Sequence, residues 1–323
     1  MCVVLPPIFL ERMQTLLGTE FPAFLGAMQE SRINSLRVNT QKLEPVGAQN
    51  LLEGALGVVF QGVPWCGSGF YLPYTAKAGS HPLHAVGAYY IQEASAMAAA
   101  ELLLGDWGGE WLGENPQVLD LCAAPGGKAS HIAELTENQA ELWVNDNSRV
   151  RLFKLRSNFS RLGVRYNEQT MYGIDRLPHV LPLASFDKIL LDAPCSGEGL
   201  LNITRDKDSE YWSLAQIKRL QQLQKKGITA AWKLLKPGGT LVYSTCTMAP
   251  EENEAVVDYL LSRNDDAQLR ALNLQQPPNQ YPAVQSWNGK PYKSDLSNCL
   301  RLAPSALVEA FFVAKITKLP ATD

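Results

Sequence analysis

Short apolar runs and longer stretches of helical period alternate through the second half of this chain. Gln117 to Leu121, Glu141 to Val144, Phe186 to Leu191 and Thr240 to Ser244 read as buried strands. Between them lie Lys128 to Thr136, Ser148 to Leu162 and Leu214 to Leu235, each with apolar residues three or four apart. The last is the clearest, with Leu214, Ile217, Leu220, Leu223, Ile228, Ala231 and Leu234 on one face. Strand–helix alternation of this kind predicts an α/β fold, a Rossmann-like, doubly wound and mostly parallel sheet. Pro237-Gly238-Gly239 should stop the long helix and turn it into the next strand. Pro250 with Glu251, Glu252 and Glu254 fits the first turn of another helix, where proline is tolerated and carboxylates complement the dipole. Leu300 to Leu302 and Phe311 to Ile316 predict a closing antiparallel hairpin, and the Pro-, Asn- and Ser-rich stretch from Pro277 to Asn298 an excursion.

The first 88 residues have a different texture and predict a small α+β domain, with residues 89–323 forming the larger one. Helices are expected over Ile8–Leu17 and Phe21–Met28, a strand at Ser35–Asn39, a helix–strand pair around Gln49 to Phe60, and a loop from Tyr74 to Val86. An alanine-rich helix from Tyr89 to Leu104 and a Gly-rich loop from Trp107 to Pro116 lead into the larger domain.

Composition narrows the class. With 46% hydrophobic and 19% charged residues the chain is ordinary for a globular protein, and no run is long enough to span a bilayer. The apolar start lacks a basic flank and a small-residue cleavage site, which argues against export. Six cysteines, at positions 2, 66, 122, 195, 246 and 299, have neither disulfide nor zinc spacing, so no metal is expected and a reducing cytoplasm suits them. A net charge of −3 is not the footprint of a strong electrostatic nucleic-acid binder. A monomer is the default.

Three segments should meet at one edge of the sheet. Asp120-Leu121-Cys122-Ala123-Ala124-Pro125-Gly126-Gly127-Lys128 joins a strand to a helix through small residues, which let a nucleoside ligand approach the backbone. It matches neither the dinucleotide pattern nor a P-loop, since Ala129 follows Gly127-Lys128. Asp146, at the end of the next strand, is placed either to accept ribose hydroxyls or to cap the following helix, and Asp175 is a weaker candidate near an adenine amino group. The other two segments carry thiols: Asp192-Ala193-Pro194-Cys195-Ser196-Gly197 and Ser244-Thr245-Cys246-Thr247. A thiolate that adds to carbon 6 of a cytosine makes carbon 5 able to attack an activated methyl group, with Asp192 as an acid near the ring nitrogen. On chemistry alone the two cysteines are interchangeable. Cys2, Cys66 and Cys299 read as core residues, and Cys122 as a contributor to loop shape.

With Leu36-Arg37-Val38-Asn39-Thr40, Val63-Pro64-Trp65-Cys66, Tyr90-Ile91-Gln92-Glu93-Ala94-Ser95 and Pro237 to Asn253, these motifs make the chain resemble the Sun (Fmu) type of RNA (cytosine-5-)-methyltransferases, most closely the branch acting on bacterial small-subunit ribosomal RNA. The resemblance implies a class I S-adenosylmethionine-dependent methyltransferase fold and S-adenosylmethionine as cofactor, lined by Cys122, Ala123, Ala124, Pro125, Gly126, Gly127, Lys128, Asp146, Asp175 and Asp192. It implies Cys246 as nucleophile, Cys195 as the residue assisting release, and Asp192 facing the base. RNA is the implied partner: ribosomal RNA favoured, transfer RNA the alternative, with a catalytically retired RNA-binding assembly factor as the rival reading. Bacterial relatives of this branch continue into a C-terminal RNA-binding domain, whereas this sequence ends at Asp323. The N-terminal domain would position RNA, with Arg12, Arg32, Arg37 and Lys42 as candidate phosphate contacts, and Trp65 and Tyr71 as core. After Gly199, Leu200 to Thr204 precede Arg205 where the family is usually basic. The target base should be unpaired or flipped outward.

Overall fold

A computed structural model describes residues 5–30, 33–73, 75–105, 115–201, 212–275 and 279–320. Cys2, Arg32, Arg205 and the Gly-rich stretch from Trp107 to Gly113 lie outside the described residues.

The larger sheet has the strands β5 (Gln117–Asp120), β6 (Glu141–Asn145), β7 (Glu168–Thr170), β8 (Phe186–Asp192), β9 (Leu235–Thr245), β10 (Ala267–Arg270), β11 (Gln280–Pro282), β14 (Leu300–Leu302) and β15 (Phe311–Lys318). Its order is β11-β14-β15-β9-β8-β5-β6-β7, with β10 also on β15. The pairs β9/β8, β8/β5, β5/β6 and β6/β7 are parallel, and β15 runs antiparallel beside β9. Parallel neighbours need crossovers, supplied by α6 (Gly127–Leu135), α7 (Arg149–Leu162) and α8 (Leu214–Leu234). Strands covered on both faces read as continuous apolar runs, as β8 does from Ile189 to Leu191, all fully buried. The closing hairpin forms as β14/β15, and the excursion before it holds the short pair β12 (Ser286–Trp287) and β13 (Lys290–Pro291).

The smaller sheet is antiparallel, in the order β2-β3-β1-β4: β1 (Asn34–Val38), β2 (Gln61–Val63), β3 (Cys66–Leu72) and β4 (Tyr89–Ile91). Helices α3 (Pro45–Leu56) and α4 (Pro82–Ala85) accompany it. The expected helix at Tyr89 begins instead at α5 (Ala94–Leu104). Tyr89-Tyr90-Ile91 suits a strand and pairs with β1, and the Glu93 carboxylate caps α5 through the backbone N–H of Ala96. The terminal helices α1 (Pro7–Leu17) and α2 (Phe21–Gln29) do not pack on this sheet. Phe9, Met13 and Phe24 share a core with Trp212, Met248 and Ala310 of the larger unit.

Three of the four candidate phosphate contacts are committed to structure. Arg37 is buried, bonded to the Glu134 carboxylate, to Gln92 Oε1 (3.0 Å) and to Ser130 Oγ (2.9 Å), and so ties β1 to α6. Arg12 grips Glu251 with two hydrogen bonds of 2.9 and 2.8 Å and lies over the Trp287 ring. Lys42 donates to the carbonyls of Val86 and Arg161. Burial of a guanidinium is stable only with such a full set of acceptors.

The expected helix at Pro250 also starts late, as α9 (Glu254–Leu261). Glu251 and Glu252 are drawn away by side-chain partners elsewhere, while Glu254 meets Arg301 in a fully buried pair of 2.5 and 3.2 Å. Arg301 also donates to the carbonyl of Met248 at 2.6 Å. Arg301→Ala strands the Glu254 charge, and urea unfolding should show a loss of about 3–5 kcal/mol.

Candidate active site

The parallel register of β8 and β9 sets Asp192 beside Ser244, and Ala193 N–H donates to the Ser244 carbonyl at 2.9 Å. Three residues further along one strand and two along the other, Cys195 and Cys246 face each other, their Sγ atoms 3.1 Å apart. Each is half-buried. Asp192 accepts from Lys128 Nζ at 2.7 Å and from Ser244 Oγ at 2.8 Å. Burial alone would lower the Lys128 ammonium, but the Asp192 carboxylate outweighs it and raises the group, with the nearby charge of Cys246 adding to the effect. The hydrogen bond to Cys246, with burial second, pushes the Cys195 thiol well above its ordinary range. The two sulfurs are in hydrogen-bond contact, and either can be the donor.

Behind the thiols runs a buried polar chain. Glu252 accepts from Ser196 N–H (3.0 Å), from Ser196 Oγ and from Gln224 Nε2 (2.8 Å). Ser196 Oγ meets Thr247 Oγ1 at 2.8 Å, Thr247 Oγ1 donates to Glu198, and Glu198 accepts from Trp212 Nε1 at 2.7 Å. Both cysteine loops are thereby laced to one scaffold. Gly199 closes it: a Cβ there would lie 2.8 Å from the Cys246 carbonyl and 2.4 Å from Ala310 Cβ.

The glycine loop opens a cavity of 210 Å³ lined by Tyr90, Gln92, Glu93, Asp120, Cys122, Ala123, Ala124, Pro125, Gly127, Lys128 and Asp192, among others. Gly126 sits at φ +109°, where a side chain would also press on the Phe159 ring at 3.1 Å, so glycine is required. Burial, then the charge of Asp192, pushes the Asp120 carboxyl up to about 7, and its Oδ2 makes no hydrogen bond among the described residues.

A family model described as 16S rRNA methyltransferase RsmB/F matches residues 112–317, and one described as the N-terminal domain of 16S rRNA methyltransferase RsmF matches residues 5–94. The chain belongs to the RsmB/F family. Ribosomal RNA small subunit methyltransferase F of Erwinia tasmaniensis is 38% identical over 273 residues, 82% of this chain and 55% of the relative. The Vibrio vulnificus protein of the same name is 35% identical over 331 residues, 99% of this chain and 66% of the relative. The chain thus spans 55% and 66% of the length of these two curated relatives. A methyltransferase homolog from Pyrococcus horikoshii superposes with a TM-score of 0.81 at 34% identity, over 97% of this chain and 95% of that one.

Within this RsmB/F site the structure gathers Cys195, Cys246, Asp192, Lys128 and residues 122 to 127 at one sheet edge. Asp146 follows β6 directly and is buried: its Oδ1 accepts from the N–H of Ser148, the residue that caps α7, and its Oδ2 pairs with Arg151 at 3.0 Å. Asp175 lines a separate cleft of 350 Å³ with His179, Lys226 and Tyr259. Cys66 and Cys299 are buried, as are Trp65 and Tyr71, and burial raises Cys122 well above a reactive range. The sequence reading missed Glu252, Ser196, Thr247 and Glu198. Their only sequence signal is position beside the two cysteines, because an isolated Glu in a helix-start pattern reads as a dipole partner.

Burial pushes Glu252 up to about 7. The folded state holds this proton more tightly than the unfolded chain, so the group favours folding below about pH 4.5, and that contribution is lost as pH rises through 7. Glu252→Gln should flatten the decline in unfolding free energy between about pH 5 and 7 by about 2–3 kcal/mol, read by urea titration at each pH.

Proposed function

We propose that this chain transfers a methyl group from S-adenosylmethionine to carbon 5 of an unpaired cytosine in RNA, with small-subunit ribosomal RNA as the substrate. The observation that carries the reading is the pair of sulfurs 3.1 Å apart beside the Lys128–Asp192 pair. A single nucleophilic cysteine would suffice for addition; a second in contact supports a divided task of attack and release. The adjoining cavity is bordered by Asp120 and by Asp192, which is paired with Lys128, and these oxygens suit the ammonium and hydroxyl groups of the cofactor. The orphaned Asp120 Oδ2 supplies a free acceptor there.

When bound, S-adenosylmethionine supplies an electrophilic methyl group. Cys246 Sγ, its proton lost to solvent, forms a bond to carbon 6 of the ring, and the carbon 5–carbon 6 electron pair moves onto carbon 5 while the Lys128 ammonium, held by Asp192, shares a proton with the ring nitrogen. Carbon 5 then gains the methyl group. Loss of the carbon 5 proton to a base returns the electron pair, breaks the carbon 6–sulfur bond and frees the product. Cys195, held protonated, is placed to hand its proton to the departing Cys246 sulfur. We place the activity in the reducing cytoplasm, which suits five described cysteines that are all free. Among the described residues no helix is long and apolar enough to cross a membrane.

Incubation with methyl-labelled cofactor and unmodified 16S ribosomal RNA, followed by bisulfite sequencing, tests the reading. Label at a single cytosine carbon 5 is expected. Label confined to protein, small molecules or another base position overturns it.

A further inference from the structure

We infer that the exposed face of α7 is an RNA-docking surface, on which phosphates meet Arg149, Lys154 and Arg156 and an unpaired base stacks on Phe153. The inference rests on the reading that the substrate is RNA and adds where the strand lies.

The chain as a whole is acidic, at −3, yet from Asn147 to Asn167 it carries Arg149, Arg151, Lys154, Arg156, Arg161 and Arg165 and no Asp or Glu. Two of these are spoken for: Arg161 donates to the carbonyls of His84 and Tyr89, and Arg151 to that of Ala124 and to Asp146. Arg149, Lys154 and Arg156 are exposed and make no ion pair or side-chain hydrogen bond among the described residues. On α8, Lys225 lies over the Tyr259 ring and Lys226 approaches Asp175, while Lys218 and Arg219 are exposed with no exposed aromatic between them.

Among these charges stand two apolar side chains, Phe153 at 68% and Val150 at 70% exposed. Arg149, Phe153 and Arg156 follow the i, i+4, i+7 spacing of one helix face. Leu152, Leu155, Phe159 and Leu162 satisfy the buried face, so packing does not explain an aromatic on the outer one. An aromatic between cations is the arrangement that holds single-stranded nucleic acid, through base stacking plus backbone charge. The surface is also rigidly coupled to the site. α7 starts just past the end of β6, and Arg151 and Asn158 bind the carbonyls of Ala124 and Pro125 in the glycine loop.

The test is direct binding of an unmodified 16S ribosomal RNA transcript across a salt titration. Arg149→Ala/Lys154→Ala/Arg156→Ala should weaken binding at least tenfold and reduce the slope of log affinity against log salt by about 2, at roughly 0.7 per single-strand phosphate contact. Phe153→Ala should weaken binding about tenfold with the slope unchanged. Cofactor affinity and thermal midpoint should match the wild type for both, and Lys218→Ala/Arg219→Ala on α8 should leave the slope within 0.5 of wild type, roughly a single contact. RNA affinity and slope untouched in the α7 variants would assign the face to an acidic protein surface and overturn the inference, as would an equal loss in the α8 control. A wild-type chain that binds RNA through α7 but transfers no methyl group would sink the proposed reaction and leave the docking surface standing.

Discussion

Cys246→Ala is expected to reduce methyl transfer to background, a loss on the order of 10⁴-fold or more, whereas Cys195→Ala should leave the protein covalently attached to RNA. The asymmetry follows from the shared proton. The two sulfurs are in contact, so a proton on Cys195 can pass directly to a sulfur leaving from Cys246, and that contact together with burial raises the Cys195 thiol. Removing Cys246 removes the atom that bonds to carbon 6. Removing Cys195 leaves addition and methylation intact but takes away the proton that lets the bound sulfur leave. A denaturing gel of each variant with cofactor and unmodified RNA reads the result: an adduct with Cys195→Ala that disappears in the double variant. An adduct that persists without Cys246 would reverse the roles.

Asp192→Asn is expected to lower kcat by about 10³-fold with little change in stability. The substitution keeps the size of the side chain and an acceptor for Ser244, but it removes the charge that offsets burial of the Lys128 ammonium and holds that ammonium towards the ring nitrogen. The ion pair is partly exposed, at 16% and 31% of its two side chains, so the stability cost should stay within about 1 kcal/mol. Lys128→Met should cost nearly as much activity, and the double variant little more than either alone, because the two act as one unit. A fall in kcat under tenfold for Asp192→Asn would remove this carboxylate from the chemistry.

The parallel sheet was legible because β5, β6, β8 and β9 are apolar runs with helices of clear period between them. The edge-to-edge meeting of the two cysteine loops followed from that topology alone. What escaped were features set by tertiary partners. Tyr89 to Ile91 sits in an alanine-rich, helix-like context, and only the edge of β1 makes it a strand. Pro250 to Asn253 has every local sign of a helix start, yet Arg12 and Ser196 claim the two glutamates first. Arg37 has the composition of a phosphate contact, and the Glu134 that buries it lies far away in sequence. The α7 surface was hidden by arithmetic, since a net charge of −3 averages a local excess of cations into the whole chain. The chemistry of the residues left the two thiols interchangeable, and only the family resemblance assigned attack to Cys246 and release to Cys195.

Gly199 ties the timing of this site to the strand that follows residue 310. Its backbone is pressed between Cys246 and Ala310, and β15, which begins at Phe311, inserts beside β9. On the ribosome the cofactor loop and Cys195 emerge early, the crossover α8 and Cys246 later, and the wall behind both only when residue 310 has been added. A nascent or prematurely released chain therefore exposes its thiols without the scaffold that orders them. The two cysteines are thus held in register only on a chain translated past β15.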